Sequence, residues 1–288
     1  MASELRTRIE AAAAFIRSRT SVRPEAGIIL GTGLGDFAGA LEVETVIPYR
    51  DIPHFPQSTV ESHAGELHLG HLAERPVAVM KGRVHYYEGY PMEQVAFPVR
   101  VLKAIGCGTV IITNAVGGMN PTMPAGTVVV TRDHINLMGD NPLIGPNDDS
   151  LGPRFPDMSQ PYALPLIELA ERIAGELDIP LQRAVLVAVA GPNLETAAEY
   201  RFLGWIGADV VGMSLVPETI AAVHGGQRVL AFNIVTDTCN PEHLKPVSIP
   251  EILAVAGRMA PVLTRLVTEV VRRLDEVTEN RLSPAENR

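Results

Sequence analysis

Cysteine is scarce in this chain. Only Cys107 and Cys239 occur among the 288 residues, and they lie far apart in the sequence. Two such cysteines form neither a disulfide framework nor a paired-cysteine metal motif. We therefore interpret both as packing residues and expect the protein to work in a reducing cytosol.

Positive charge and long apolar runs are also in short supply. The chain has 24 Lys and Arg against 33 Asp and Glu, which gives a formal net charge of −9 and no Lys/Arg-rich stripe. This balance argues against a nucleic-acid partner. No apolar run approaches the roughly 18 residues of a membrane span, and the amino terminus lacks a basic stretch followed by an apolar one. We expect a cytoplasmic protein without a nucleic-acid or membrane partner.

The chain does have a regular alternation of short β-branched runs and longer helical patterns, which is typical of α/β proteins. Strands are predicted at residues 27–30, 77–80, 109–113, 127–131, 184–190, 209–212 and 229–235, with a half-exposed one at 66–71. Helices are predicted at residues 4–17, 92–105, 164–177, 196–206, 217–224 and 250–277. No domain boundary is visible. The sequence therefore predicts one α/β domain over residues 1–278, with a twisted mixed β-sheet flanked by helices, and a polar tail over residues 279–288.

The densest cluster of reactive side chains follows the predicted strand at residues 77–80. Arg83, His85, Tyr87 and Glu88 stand between two glycines. If the strand continues, Arg83, His85 and Tyr87 share one face and converge on one small ligand. The fork of arginine suits an oxyanion, above all phosphate. The alternative is an exposed hairpin that carries solvated charges.

Other predicted strands end in groups that can bind an anion or a flat ring. A glycine-rich loop follows the first strand and offers the Thr32 hydroxyl and backbone amides. It lacks the third glycine of a dinucleotide fingerprint, where Asp36 stands instead. Paired glycines follow Ala115 and allow a ligand close to its amide, while Ser214 adds a hydroxyl and Met213 a soft apolar surface. A tight structural turn is the alternative for the first loop.

Three further groups are candidates for ligand contact. Glu195 follows an apolar strand, either to accept hydrogen bonds from a ligand or as an acid in the first turn of a helix. Asp237 ends the last predicted strand as a salt-bridge partner or a group that manages a proton. His63 stands beside a glycine, and we reject a metal site with His68 and His71 because no carboxylate or cysteine completes the set. Together the strand ends indicate an anion and a polar planar ring bound side by side.

At this point the chain closely resembles a known family, the trimeric purine nucleoside phosphorylases. The resemblance covers nearly the whole chain and rests on motifs at residues 31–35, 62–65, 82–91, 113–118, 132–136, 191–196 and 212–218. It implies reversible phosphorolysis of 6-oxopurine nucleosides, inosine and guanosine, to the free base and ribose 1-phosphate. It further implies a homotrimer and a reaction without metal or organic cofactor, in which phosphate is a co-substrate.

The resemblance also implies roles for individual residues. Those expected to hold phosphate are Thr32, His63, Arg83, His85, the amide of Ala115 and Ser214. Those expected at the nucleoside are Tyr87 and Met213 at the ribose, Glu195 and Asp237 at the base, and Phe155, which reaches the site of a neighbouring subunit. Of all these, His85 and Asp237 are the expected catalytic residues.

Three positions depart from the family pattern. Asp237 stands where members specific for 6-oxopurines carry asparagine, and aspartate there is typical of the related 5′-methylthioadenosine phosphorylases. Ile249 replaces a histidine for the 5′-hydroxyl, and Leu194 replaces a phenylalanine. A phosphorylase that accepts adenosine or 5′-methylthioadenosine is therefore the alternative. A nucleoside hydrolase and a non-catalytic nucleoside-binding protein are more remote alternatives, and dependence on phosphate separates all of them.

Overall fold

A computed structural model describes residues 3–32, 39–59 and 64–277 of the chain. His63, most of the glycine-rich loop after Thr32, and the predicted tail at residues 279–288 lie outside these ranges.

The described residues contain nine strands and six α-helices. The strands are β1 (Ala26–Leu30), β2 (Leu41–Pro48), β3 (Glu66–Leu72), β4 (Arg75–Lys81), β5 (Thr109–Gly118), β6 (Val128–Leu137), β7 (Leu181–Val189), β8 (Val210–Gly212) and β9 (Arg228–Thr238). The helices are α1 (Glu4–Arg19), α2 (Met92–Ile105), α3 (Leu164–Glu176), α4 (Ala197–Trp205), α5 (Val216–His224) and α6 (Ile249–Arg272). The predicted α/β class is confirmed.

The strands form one mixed sheet that partly closes on itself. Their order is β2-β3-β4-β1-β5-β8-β7-β6-β9, and β9 also pairs with β5, so the last five strands form a closed barrel. Strand β1 lies parallel to β4 and β5, and β5 lies parallel to β9. The carboxyl ends of these four strands therefore lie at one edge of the sheet, where open α/β sheets bind ligands.

Local sequence explains where several helices begin. The Ser3 hydroxyl accepts a hydrogen bond from the backbone amide of Arg6 at the start of α1. Thr196 and Glu199 form a reciprocal capping box at the start of α4. Each cap satisfies an amide that the helix itself leaves without a partner. The Thr196 cap stands one residue after Glu195, a candidate site residue, and fixes the start of α4 at Ala197.

Three of the predicted strand ends are wrong, since β6 continues past Thr131 to Leu137 beside β7. Strand β5 continues through Ala115 to Gly118, and β9 continues through Asp237 to Thr238. The polar residues stay in strand because the two strands pair with each other, with Gly117 opposite Asp237 and a register shift after Val116. Strand β2 was not predicted, since it is an edge strand in which half of the residues are exposed and two of these are glutamates.

Candidate active site

A cleft of about 780 Å³, including its opening to solvent, lies at the edge of the sheet where β1, β4 and β5 end. It brings together nine of the eleven predicted site residues: Thr32, Arg83, His85, Tyr87, Ala115, Glu195, Met213, Ser214 and Asp237. Leu194 also lines it. These residues, scattered along the sequence, therefore lie around one cleft.

The route by which Arg83, His85 and Tyr87 reach the cleft differs from the prediction. Strand β4 ends at Lys81, and Tyr86–Glu88 is a single turn of 3-10 helix, so the three residues do not alternate along a strand. Gly82 breaks the strand with a φ of 105°, a conformation that favours glycine. The rings of His85 and Tyr87 stack instead, with centroids 4.7 Å apart and an angle of 11° between their planes.

Glu88 fixes the orientation of His85. Its Oε1 accepts hydrogen bonds from the backbone amide of His85 at 2.7 Å and from Nδ1 of the ring at 3.0 Å. Its Oε2 accepts from the amide and hydroxyl of Thr59. Because a carboxylate only accepts, Nδ1 carries a proton, and ligand contact is left to Nε2.

The same contacts keep Glu88 ionised. Burial raises the pKa of the Glu88 carboxyl, but hydrogen bonds from His85 and Thr59 outweigh burial and hold the pKa at about 2. Burial and then Glu88 raise the pKa of the Tyr87 hydroxyl to about 12, against a smaller opposing effect of Arg83. At neutral pH Glu88 is therefore a fixed negative charge behind His85, and Tyr87 is a neutral hydroxyl.

Arg83 is buried and held by protein acceptors on several sides. Its Nη1 donates to Oδ1 of Asn114 and to the Ser214 hydroxyl, the latter at 3.1 Å. Its Nη2 donates to the carbonyl groups of Thr113 and Ile29, and Nε lies 3.4 Å from a carboxylate oxygen of Glu218.

The partner Glu218 changes the charge that Arg83 presents. The side chains of Arg83 and Glu218 are 3% and 4% exposed. A buried cation must be compensated, and Glu218 supplies that compensation. An oxyanion therefore meets a cation that is already paired, so hydroxyls and amides must supply much of the remaining stabilisation. Sequence reasoning assigned no role to Glu218, because only the fold brings the start of α5 to Arg83.

The segment that carries Met213 and Ser214 is tightly constrained. The amide of Val216 donates to the carbonyl of Ser214 at 2.9 Å around Leu215, which has a φ of 72°. Such a γ-turn is strained for a residue other than glycine, and strain of this kind clusters at functional sites. Met213 packs against Gly191, where a Cβ would lie 2.3 Å from the Met213 sulfur.

The floor of the cleft depends on a close backbone approach at Gly31. A Cβ at Gly31 would lie 2.5 Å from the carbonyl oxygen of Thr113, so β1 and β5 approach this closely only with glycine there. The Gly31 amide donates to the Thr113 hydroxyl at 3.2 Å. This contact holds the start of the Thr32 loop beside the segment of β5 that carries Asn114 and Ala115.

The two candidate base-binding acids lie in different surroundings. Both oxygens of Asp237 accept hydrogen bonds, one from the Thr236 hydroxyl at 3.0 Å and the other from the Cys239 thiol at 3.4 Å. Glu195 is half-buried and interacts with the Tyr200 hydroxyl, whose pKa is raised mainly by burial and then by Cys239 and Glu195. Cys239 is buried as predicted, but it is also a hydrogen-bond donor to the site.

Of the remaining predicted positions, two do not line the cleft. His63 lies outside the described residues. Phe155 is 87% exposed and lines a second depression with His134, Asn141, Ile144 and Arg154. Ile249 is 61% exposed at the start of α6, and Ile252, one turn further on, lines the cleft instead.

Two features of the described residues concern metal binding and membrane spans. Among residues 3–32, 39–59 and 64–277, no group of three or more His, Cys, Asp or Glu side chains is arranged to hold a metal ion. Within the same ranges, each helix is too short or too polar to cross a bilayer.

Known proteins match this chain over most of its length. The model of the family described as "Phosphorylase superfamily" matches residues 25–272. The chain is 49% identical over 267 residues to "Purine nucleoside phosphorylase 1" of Bacillus subtilis (strain 168), which covers 93% of this chain and 98% of that protein.

Solved structures agree with the sequence comparison. The purine nucleoside phosphorylase of Schistosoma mansoni in complex with adenosine superposes with a TM-score of 0.89 at 38% identity, over 93% of this chain and 97% of that one. The same schistosomal enzyme in complex with inosine gives a TM-score of 0.88 at 37% identity, over 93% and 96% of the two chains.

Proposed function

This chain belongs to the phosphorylase superfamily, and we propose on that premise that it is a purine nucleoside phosphorylase. It transfers the ribosyl group of inosine or guanosine to phosphate and releases the purine base. The observation that carries this proposal is the single cleft in which Arg83, His85 and Ser214 lie beside Glu195 and Asp237.

We assign the anion end of the cleft to phosphate. The groups that would hold it are Thr32, Arg83, His85, the amide of Ala115 and Ser214, with His63 from the segment outside the described residues. They would fix one phosphate oxygen below C1′ of the ribose. Orientation of this kind removes much of the entropic barrier of a bimolecular reaction.

We assign the other end to the nucleoside. As the bond between C1′ and N9 breaks, its electron pair leaves with the purine, and a phosphate oxygen forms the new bond to C1′. The ribose then resembles an oxocarbenium ion between two anions, so stabilising charge on both sides lowers the barrier. Glu195 would accept a hydrogen bond from the N1–H group of a 6-oxopurine. Asp237 would contact N7 and the substituent at position 6 of the purine.

A specific observation favours a second activity, on 6-aminopurine nucleosides. Protein donors contact both Asp237 oxygens, so both oxygens act as hydrogen-bond acceptors. An ionised Asp237 accepts from a 6-amino group and repels a 6-oxo group. Adenosine or 5′-methylthioadenosine is therefore the alternative substrate.

We further propose a homotrimer in the cytoplasm that needs neither metal nor organic cofactor. The nearly full exposure of Phe155, a large aromatic residue, supports the trimer, because such a side chain is more stable when a partner covers it. The two free, buried cysteines support a reducing compartment.

Base release from inosine, guanosine, adenosine and 5′-methylthioadenosine, each with and without phosphate, tests the proposal. We expect release from inosine and guanosine only when phosphate is present. Faster release from the two 6-aminopurine nucleosides would show that adenosine or 5′-methylthioadenosine is the preferred substrate. Release at the same rate without phosphate would identify a hydrolase, and no release from any of the four would identify a binding protein.

A further inference from the structure

A buried row of polar side chains runs from the anion end of the cleft into the barrel. Asn114 on β5, Asn233 on β9 and Thr131 on β6 are 3%, 0% and 0% exposed. Asn114 Nδ2 donates to Asn233 Oδ1 at 2.9 Å, and Asn233 Nδ2 donates to Thr131 Oγ1 at 2.8 Å. Buried amides are costly unless such bonds are made, so the row is a specified feature of the core.

The chemistry of Arg83 fixes the direction of every bond in this row. Arg83 only donates, so the atom of Asn114 that faces it must be the oxygen. Asn114 therefore turns its NH₂ group to Asn233, which in turn must present its oxygen there and its own NH₂ group to Thr131. The amide orientations follow from the network rather than from the similar shapes of oxygen and nitrogen.

Asn114 Oδ1 serves two candidate phosphate-binding residues at once. It accepts from Arg83 Nη1 and from the Ser214 hydroxyl at 3.1 Å. Ser214 itself accepts from Arg83 Nη1 at 3.1 Å. A serine hydroxyl has a single proton, so Ser214 must turn that proton from Asn114 toward any phosphate oxygen to which it donates.

We propose that Asn114 is a positioning residue for phosphate, acting through Arg83 and Ser214. The Asn114 amide is held in one orientation by Asn233 and Thr131. It fixes the position of the Arg83 guanidinium and the orientation of the Ser214 hydroxyl before phosphate binds. This inference rests on the phosphate-dependent reaction proposed above.

Asn114→Asp is the sharpest variant, because the fold can accommodate it. The new carboxylate still accepts from Arg83 and Ser214, and Asn233 can turn its amide to donate to the second oxygen while Thr131 donates to Asn233. What changes is charge, since a carboxylate now lies beside the phosphate-binding groups. We expect the KM for phosphate to rise at least about tenfold, as repulsion between nearby charges predicts, and the KM for inosine to stay within about twofold.

Asn114→Ser is the second variant, and it introduces no charge. Its hydroxyl is too short to reach Arg83 and Ser214 together, so we expect a smaller rise in the KM for phosphate. The matched control is Gln227→Glu, which also converts a buried amide to an acid. Gln227 stands just before β9, at the far end of that strand from Asp237, and in the wild type its Nε2 donates to the Cys107 carbonyl. The folded control should keep the wild-type KM for phosphate.

A second readout is independent of turnover. A ligand that binds the folded protein raises its melting temperature, so phosphate should raise the Tm of the wild type and of Gln227→Glu, and should raise that of Asn114→Asp much less. An unchanged KM for phosphate in both Asn114 variants, or an equal rise in the KM for inosine and for phosphate, would overturn the role of Asn114. Wild-type turnover that ignores phosphate would instead refute the proposed function itself.

Discussion

The two ends of the cleft are built differently. At the anion end, Arg83 and Glu218 are both buried, and His85 is held by a carboxylate that is itself held by Thr59. At the base end, Glu195 is half-buried and Leu194 is 44% exposed. If the proposed function holds, rigid groups lie where phosphate, which is common to every reaction, would bind, and more open groups lie where the purines would differ.

The largest expected effect comes from removing the cation at the anion end. Arg83→Met leaves Glu218 as an uncompensated buried charge, so we expect a loss of about 3–5 kcal/mol in the free energy of unfolding and no detectable turnover. Urea denaturation and base release measure the two effects.

The double variant Arg83→Met with Glu218→Gln separates stability from function. Removing both charges should recover much of the lost stability, because no unpaired ion remains, while turnover stays absent. Recovery of turnover together with stability would mean that Arg83 serves only the fold, and the contrast between the two ends would fail.

The next effect concerns the support of His85. Glu88→Gln replaces a charged acceptor by an amide that can turn its NH₂ group toward Nδ1, so the ring loses its fixed tautomer. Hydrogen bonds to charged groups contribute about 1.5–3 kcal/mol, and kcat/KM should therefore fall roughly tenfold to a hundredfold. Steady-state kinetics at saturating phosphate measure this fall in kcat/KM. A kcat/KM within twofold of the wild-type value would show that Glu88 does not orient the His85 ring.

Glu88 also predicts a pH dependence of stability. Its pKa is about 2 in the folded protein against an ordinary value of 4.5, so the unfolded chain binds the proton more readily. The stabilisation from Glu88 is complete above pH 4.5 and is lost as the pH falls toward 2. Unfolding free energies across this window should fall less steeply for Glu88→Gln than for the wild type, and parallel curves would contradict the assignment.

A smaller effect is expected at the base end. Asp237→Asn provides an amide that donates to a 6-oxo group and accepts from N7, so the ratio of kcat/KM for inosine to that for adenosine should rise about tenfold. The Tm should change little, because Asp237 is half-buried. An unchanged ratio would place base selection elsewhere, with Glu195 the next residue to test.

The smallest effect is expected at Phe155. Truncation of this exposed side chain by Phe155→Ala should change the free energy of unfolding of the subunit by no more than about 0.5 kcal/mol. If Phe155 reaches a neighbouring subunit, the KM for inosine should rise a few-fold while the KM for phosphate stays constant. An equal KM for inosine in the wild type and the variant would contradict a role of Phe155 in substrate binding.

Much of this architecture could be predicted from the sequence. Apolar runs bounded by glycine located β1, β4 and the first half of β5, and the residues after these and the other predicted strands located nine lining residues of the cleft. These features are local, and a strand end is visible in the residues themselves. The Glu88 carboxylate was noticed for the same reason, because it stands three residues from His85.

What escaped prediction depends on pairing between distant segments. Ala115 and Asp237 lie within strands because β5 pairs with β9, a contact between segments more than 100 residues apart. Glu218 and Asn114 gained their roles only when the fold brought them to Arg83. Cys239, interpreted as a packing residue, turned out to donate to Asp237.

Phosphorus NMR of the wild-type protein with inosine and phosphate tests the central claim most directly. The account predicts one ribose 1-phosphate formed, and one inorganic phosphate consumed, for each hypoxanthine released. Release of hypoxanthine with free ribose and an unchanged phosphate signal would contradict it.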